Sequence, residues 1–516
     1  MSDLTDTRPT TSRLALRLLR HDRRVAILGV AFVALGYLAI TGFATITIPW
    51  IGTGDSYDHL DYVYQVTLGH LPQPNGHQWT PGNYPGEGAI GRQYASAHPP
   101  FYYFLMSLLA GQQLVDGHWH VAVEMIRLAN AFFGLVGLVT TAFFGWMIGG
   151  RLRVRLAIGL PAVATATFSY LRFSSDVYND LLVTALSLIA LTLATRTLMR
   201  GPSWRVTPFL AVVGALAIGT KATYVLTLGV VAVAIVAAAL VHPAGRSIGR
   251  SIGRMIGHLA VIGAAPIAAF GWYFVANYLR SGDWYRSSVQ TAIGERSNRT
   301  LMDNLTDPSF YLIVPQGLVG RGPAAFVETA QAWSMVIFFA AFAVTLIVTV
   351  VALVRRSFRW STVRVLIVIM LLGHLAGSYL LQLSHSIGYG AYNWRYFLPS
   401  TISIGLVLGI GVIAIGRRSG AIAAPALVIA LWVTNCISFV TYSLVRGDVP
   451  KTGQGLVKDA GALAFANGFP GWTPAALLAV AAIGILGVGV VLWRYREAPL
   501  PTDEAVADAP AAARAD

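Results

Sequence analysis

The chain is 516 residues long, 55% hydrophobic and only 12% charged, which is too little charge for the surface of a soluble protein of this size. Its net charge is +14, nearly all of it arginine, with lysine only at Lys221, Lys451 and Lys458. The arginines fall in short clusters between apolar runs, which argues for a protein oriented in a bilayer and against a nucleic-acid partner. The single cysteine, Cys436, lies in an apolar run, so no intramolecular disulfide can form.

Residues 1–24 form a basic segment with Arg13, Arg17, Arg20, Arg23 and Arg24, expected on the cytoplasmic side. The first apolar run, 25–48, is too long for a signal-peptide core and is read as a retained helix. Further runs follow at 121–148, 156–171, 181–199, 206–220, 223–241, 257–277, 334–354, 363–383, 397–416, 420–441 and 473–493. Together they predict an all-α polytopic membrane protein with about 12 transmembrane helices. The stretch 206–241 is ambiguous, because only Gly219-Thr220-Lys221 divides it.

Arginine clusters occupy alternate connections, at 151–155, 196–205, 246–254, 355–359 and 417–418, and the last run ends at Arg494 and Arg496. With a cytoplasmic N-terminus, all of them fall on the cytoplasmic side and both termini do too. The long connections 49–120, 278–333 and 442–472 are then extracytoplasmic. The first is rich in aromatics, Pro and Gly and is expected to carry short interfacial helices. Residues 25–497 form one membrane domain, and 498–516 read as a disordered cytoplasmic tail.

The polar residues that could carry chemistry gather on the extracytoplasmic side. Asp55, Asp58, His59 and Tyr62 share a helical face, with Asp61 beside it. Three acids so close together suit proton transfer or cation binding, whereas the plainer reading is a helix cap with its acids in water. His98-Pro99-Pro100 precedes Phe101, Tyr102 and Tyr103. Arg172, Asp176 and Asp180 lie between two apolar runs, Lys221 stands alone in a break, and Arg395 sits in Asn393-Trp-Arg-Tyr-Phe-Leu-Pro399. Ionisable groups at membrane depth are costly unless paired or functional; the alternative for Lys221 and Arg395 is snorkelling to headgroups. The first loop also holds His59, His70, His77, His98, His118 and His120, but no two have the i, i+4 spacing of a helical zinc motif.

In this order, an acid after the first helix, Pro-Pro-aromatic, Asn-Asp, Thr-Lys, Gly-Trp-Tyr-Phe with Gly-Asp, and Arg-Tyr-Phe-Leu-Pro resemble a known family. It is the GT-C superfamily of polyprenyl-phosphate-sugar-dependent glycosyltransferases, near the protein O-mannosyltransferase and lipid A aminoarabinose transferase branch. The resemblance covers roughly residues 25 to 420. Many members pair the first acid with a following Glu, whereas Ser56 follows Asp55 here.

The resemblance implies inverting transfer of a sugar from a polyprenyl-phosphate carrier to a glycan, lipid or protein acceptor outside the cytoplasm. It implies Asp55 as catalytic base, Asp180 and less directly Asp176 as second acid, and Lys221 and Arg395 as phosphate-binding residues. Asp58, His59, His98, Tyr102 and Arg172 are candidate substrate contacts. No cofactor is implied, with a divalent metal as the one alternative. The rival reading is a transporter or flippase for a lipid-linked or polar substrate.

Overall fold

A computed structural model describes residues 10–48, 56–73, 76, 78–79, 93–243, 248–282, 284, 299–319, 325–354, 361–390, 392–415, 423–446 and 456–495. These are helical, with no strand among the described residues. The helices are α1 (Thr10–Thr47), α2 (Ser56–Thr67), α3 (Phe101–Val115), α4 (Trp119–Ile148), α5 (Arg153–Thr165), α6 (Phe168–Ser174), α7 (Asp180–Arg200), α8 (Thr207–Thr220), α9 (Val225–Val241) and α10 (Ile248–Ser281). They continue with α11 (Leu301–Thr306), α12 (Pro308–Val319), α13 (Ala325–Val354), α14 (Thr362–Tyr389), α15 (Thr401–Ile415), α16 (Ala423–Arg446), α17 (Leu456–Ala466) and α18 (Thr473–Arg494).

Among the described residues, the apolar runs read from the sequence fall on these helices, with 156–171 divided between α5 and α6. Among the described residues, seven helices are long and apolar enough to cross a membrane, or eight if the bent pair α5–α6 counts as one span. The remaining runs carry shorter apolar stretches, such as Thr207–Thr220 and Val428–Ile437. The protein is therefore a helical membrane protein.

Three segments differ from the sequence expectation. Helix α1 includes residues 10–24 of the basic segment, whose Leu, Ala and Arg residues are good helix formers. The run 156–171 is not one straight helix but bends by 73° between α5 and α6. Pro161 gives no N–H to the ladder, Thr165 Oγ1 donates back to the Pro161 carbonyl at 2.6 Å, and Thr167 is extended. The connection 278–333 contains α11, α12 and the start of α13; α11 is opened by a capping box between Thr300 and Asp303. The expected tail 498–516 lies outside the described residues.

Side-chain bonds identify the two ends of the bundle. At one end Asp22, near the start of α1, pairs with Arg153 of α5 at 2.5 Å and accepts from the Tyr495 hydroxyl at 2.8 Å, just past α18. At the other end Arg127 of α4 donates to the Thr45 and Ile48 carbonyls at 3.3 and 3.1 Å, capping the carboxyl end of α1. The stretch of α1 around Asp22 and the end of α18 thus lie together.

Small residues allow close helix approach. A Cβ on Gly484 of α18 would lie 2.6 Å from the Gly36 amide nitrogen of α1. Gly484→Leu is expected to force these helices apart and cost about 1–3 kcal/mol, read as a lower Tm in detergent. An unchanged Tm would contradict this contact. Gly134 of α4 is crowded by the Tyr37 hydroxyl and Ser174, while Tyr37 and Tyr170 donate to the Ala131 and Gly134 carbonyls at 3.0 and 2.7 Å. That lock holds α6 against α1 and α4.

Candidate active site

The bend after α5 brings Arg172–Asp180 to the same end of the bundle as the end of α1, α2 and Lys221. Asp180 opens α7, and Lys221 follows the last turn of α8 in extended conformation. Lys221 Nζ bonds Asp180 Oδ1 at 2.6 Å, with the two side chains only 4% and 3% exposed. Lys221 is therefore buried and paired, not snorkelling. Asn179 Nδ2 donates to the Thr220 carbonyl at 3.1 Å, fixing the strand of chain that presents Lys221. Asp180 Oδ2 is buried and has no hydrogen-bond partner among the described residues.

Tyr178 lies two residues before Asp180 in the chain. Its ring lies 5.0 Å from that of His59 and beneath the Arg395 guanidinium at 5.9 Å. Arg172 stands 5.6 Å over Trp394, the neighbour of Arg395. The 3-10 turn Trp394–Ser400 that carries Arg395 is held by α14. Gln382 Oε1 accepts from the Asn393 amide at 2.8 Å, and Asn393 Oδ1 accepts from the Arg395 amide at 3.3 Å. His385 bonds the Tyr396 hydroxyl at 3.1 Å, and His374 bridges Ser400 and Thr227 at 2.8 and 2.9 Å.

Helix α2 is buried, so its acids do not face water. Asp58 accepts from Gln78 Nε2 at 2.8 Å; Asp61 accepts from Gln65 and Gln93 side chains and the Trp79 amide at 2.8, 2.6 and 2.7 Å. Asp61 is a knot that folds the first loop onto α2. Asp176 Oδ1 accepts from Ser56 Oγ at 3.0 Å and from the Val177 amide at 2.8 Å, so it fastens the start of α2. Asp55 lies outside the described residues, as do Asp283 and His77.

His59 Nδ1 meets the Tyr103 hydroxyl at 2.7 Å and stacks on His98 at 5.5 Å. Tyr102 is fully buried; its hydroxyl accepts from Asn130 Nδ2 at 3.1 Å, and the same amide reaches the Asp176 carbonyl at 2.6 Å. Burial lowers the His98 pKa well below the usual histidine value, and the Lys221 ammonium, the neighbouring His59 ring and the Arg395 guanidinium lower it further. Those fields place His98 among the candidate cations. His98 is neutral in the folded protein at pH 7.

Because the unfolded chain takes up that proton first, stability is full above about pH 6.5 and is lost as pH falls towards the depressed folded value. We expect the Tm of the parent to drop on acidification below about pH 6.5 and His98→Gln to flatten that drop. Equal pH profiles for the two would contradict the neutral, buried His98.

The structure thus brings together Asp180, Lys221, Arg395, Arg172, His59 and His98, with Asp176, Asp58 and Tyr102 acting as supports around them. Sequence reading passed over Arg127 and Asn130, although polar residues at 124, 127 and 130 inside an apolar helix were a visible signal. It also missed the cluster in which Asp307 pairs with Arg299 at 2.5 Å and accepts from Tyr392 at 2.7 Å. Those bonds hold the Asp307 carboxyl below its usual range. Among the described residues no three His, Cys, Asp or Glu side chains come together as a metal site.

No protein-family model matches the chain, and no curated protein matches it in sequence. Among solved structures, ArnT from Cupriavidus metallidurans bound to undecaprenyl phosphate superposes with a TM-score of 0.50 at 14% identity, over 90% of this chain and 75% of that one. The chain shares the fold of that ArnT. The apo form of the same ArnT gives a TM-score of 0.44 at 15% identity, over 90% of this chain and 75% of that one. The Archaeoglobus fulgidus oligosaccharyltransferase gives 0.38 at 13% identity, over 95% of this chain and 59% of its own.

Proposed function

We propose that this GT-C-fold protein is a membrane glycosyltransferase. It moves a sugar from a polyprenyl-phosphate carrier to a glycan, lipid or protein acceptor on the extracytoplasmic side, with both termini cytoplasmic. The observation that carries this reading is the buried Asp180–Lys221 pair, with Tyr178, two residues before Asp180, against both Arg395 and His59. A fold shared with a protein that holds undecaprenyl phosphate supports the lipid-phosphate donor.

In this reading the Asp55 carboxylate takes the proton of the acceptor hydroxyl as its oxygen attacks the anomeric carbon. The bond from that carbon to the phosphate oxygen breaks, and the configuration inverts. The departing polyprenyl phosphate carries its charge to Arg395 and Lys221. Lys221 approaches the phosphate while bonded to Asp180, Arg395 lies over Tyr178, and Arg172 lies over Trp394, the residue before Arg395. The chain enters the site at Ser56, one residue after Asp55, where Ser56 bonds Asp176.

The test is transfer from a defined polyprenyl-phosphate sugar in proteoliposomes. Asp55→Asn is expected to lower turnover by about 10²–10⁴-fold, the usual contribution of a positioned general base. Undiminished transfer by that variant would exclude Asp55 as the base. Movement of the lipid-linked sugar across the bilayer with its glycosidic bond intact would instead identify a flippase.

A further inference from the structure

The end of the bundle opposite the candidate active site holds a second feature. An open cavity of about 540 Å³ is lined by Phe143, Trp146 and Met199 together with Arg153, Arg196 and Arg200. Arg196 and Arg200 stand one turn apart at the carboxyl end of α7, where the helix dipole favours cations. Arg153 is fixed from below by Asp22 at 2.5 Å and lies 5.1 Å over the Trp146 ring. Three arginines thus line the cavity, and Asp22, which is paired with Arg153, is also bonded by Tyr495.

The other walls are apolar and open to the outside of the bundle. Phe143 is 55% exposed, and Val139 and Phe132 continue the same face of α4 at 50% and 57%. From Phe143 to Phe132 this stripe runs roughly 16 Å along the helix. That matches one leaflet, about 15 Å or half of the hydrocarbon core. The cavity therefore offers cations at the level of a headgroup and an apolar track one leaflet deep beside them.

We propose that this cavity binds an anionic phospholipid of the leaflet at the arginine-rich end, its phosphate on Arg196, Arg200 and Arg153 and an acyl chain along α4. A soluble anion would use the arginines but not the stripe; a zwitterionic lipid would use the stripe but bring an ammonium against three cations. The proposal rests on the membrane fold and is independent of the transfer chemistry.

Native mass spectrometry of the full chain released from mixed nanodiscs tests it, with phosphatidylglycerol and phosphatidylcholine of identical acyl chains. The parent is expected to retain phosphatidylglycerol about 10-fold over phosphatidylcholine, the size of one or two charge-assisted contacts. Arg196→Gln/Arg200→Gln, which keeps helix-forming side chains of similar length, should bring the ratio near unity. Arg250→Gln/Arg254→Gln, on exposed residues of α10 at the same end, should leave it unchanged. Loss of preference in both pairs would reduce the effect to general charge and overturn the site, as would equal ratios in the parent and the first pair. A rise in Tm with inorganic phosphate equal to that with phosphatidylglycerol would identify a soluble-anion site and overturn the lipid assignment.

Discussion

Lys221→Ala is expected to destabilise the protein by about 3–5 kcal/mol, because it leaves the Asp180 carboxylate buried without its cation. Asp180→Ala should also lower the Tm, because it removes the buried carboxylate bonded to the Lys221 ammonium. The double variant Lys221→Met/Asp180→Leu removes both charges and fills the space with apolar atoms, so its Tm should return towards that of the parent. Transfer should not return with it if Lys221 contacts the leaving phosphate as proposed. Recovery of fold without recovery of activity separates the structural from the chemical role of the pair. Single variants with an unchanged Tm would contradict the 2.6 Å buried contact.

Arg395→Ala is expected to lower turnover by about 10²–10³-fold, the usual loss when one stabiliser of developing charge is removed. Arg395→Lys should recover only part of it, because lysine keeps the charge but not the planar fork or the stacking on Tyr178. Its bed on α14, through Asn393, Gln382 and His385, should keep the fold stable in both variants. The effect is expected in kcat more than in KM if the charge develops on the leaving phosphate. A change confined to KM would make Arg395 a donor-binding residue that does not act in the chemical step.

Much of this arrangement was legible from the sequence, because hydropathy in lipid is a strong constraint. The break at Lys221 and the gathering of Arg172, Asp180 and Arg395 on one side followed from helix ends and arginine clusters. The 73° bend between α5 and α6 did not, since a run of apolar residues carries no signal for direction. Nor did the partners of the acids. Spacing put Asp58 and Asp61 near a common helical face, but it could not show that Gln78, Gln93 and Trp79 would fold over them. Asp176 and Asp180 lie four residues apart, and the sequence matched Asp180 more directly than Asp176 to a second acid without showing what either binds. One takes Ser56 and the other takes Lys221, a division set by contacts far along the chain.

The central claim is that the end of the bundle containing Asp180, Lys221 and Arg395 holds a lipid phosphate. Photocrosslinking with an undecaprenyl-phosphate analogue carrying its reactive group beside the phosphate, followed by peptide mapping, tests this directly. Labelling is expected within 172–180, around Lys221 and within 393–396, and Arg395→Ala should reduce it. Labelling confined to the arginine-rich cavity at 143–153 and 196–200, or unaffected by Arg395→Ala, would contradict the account.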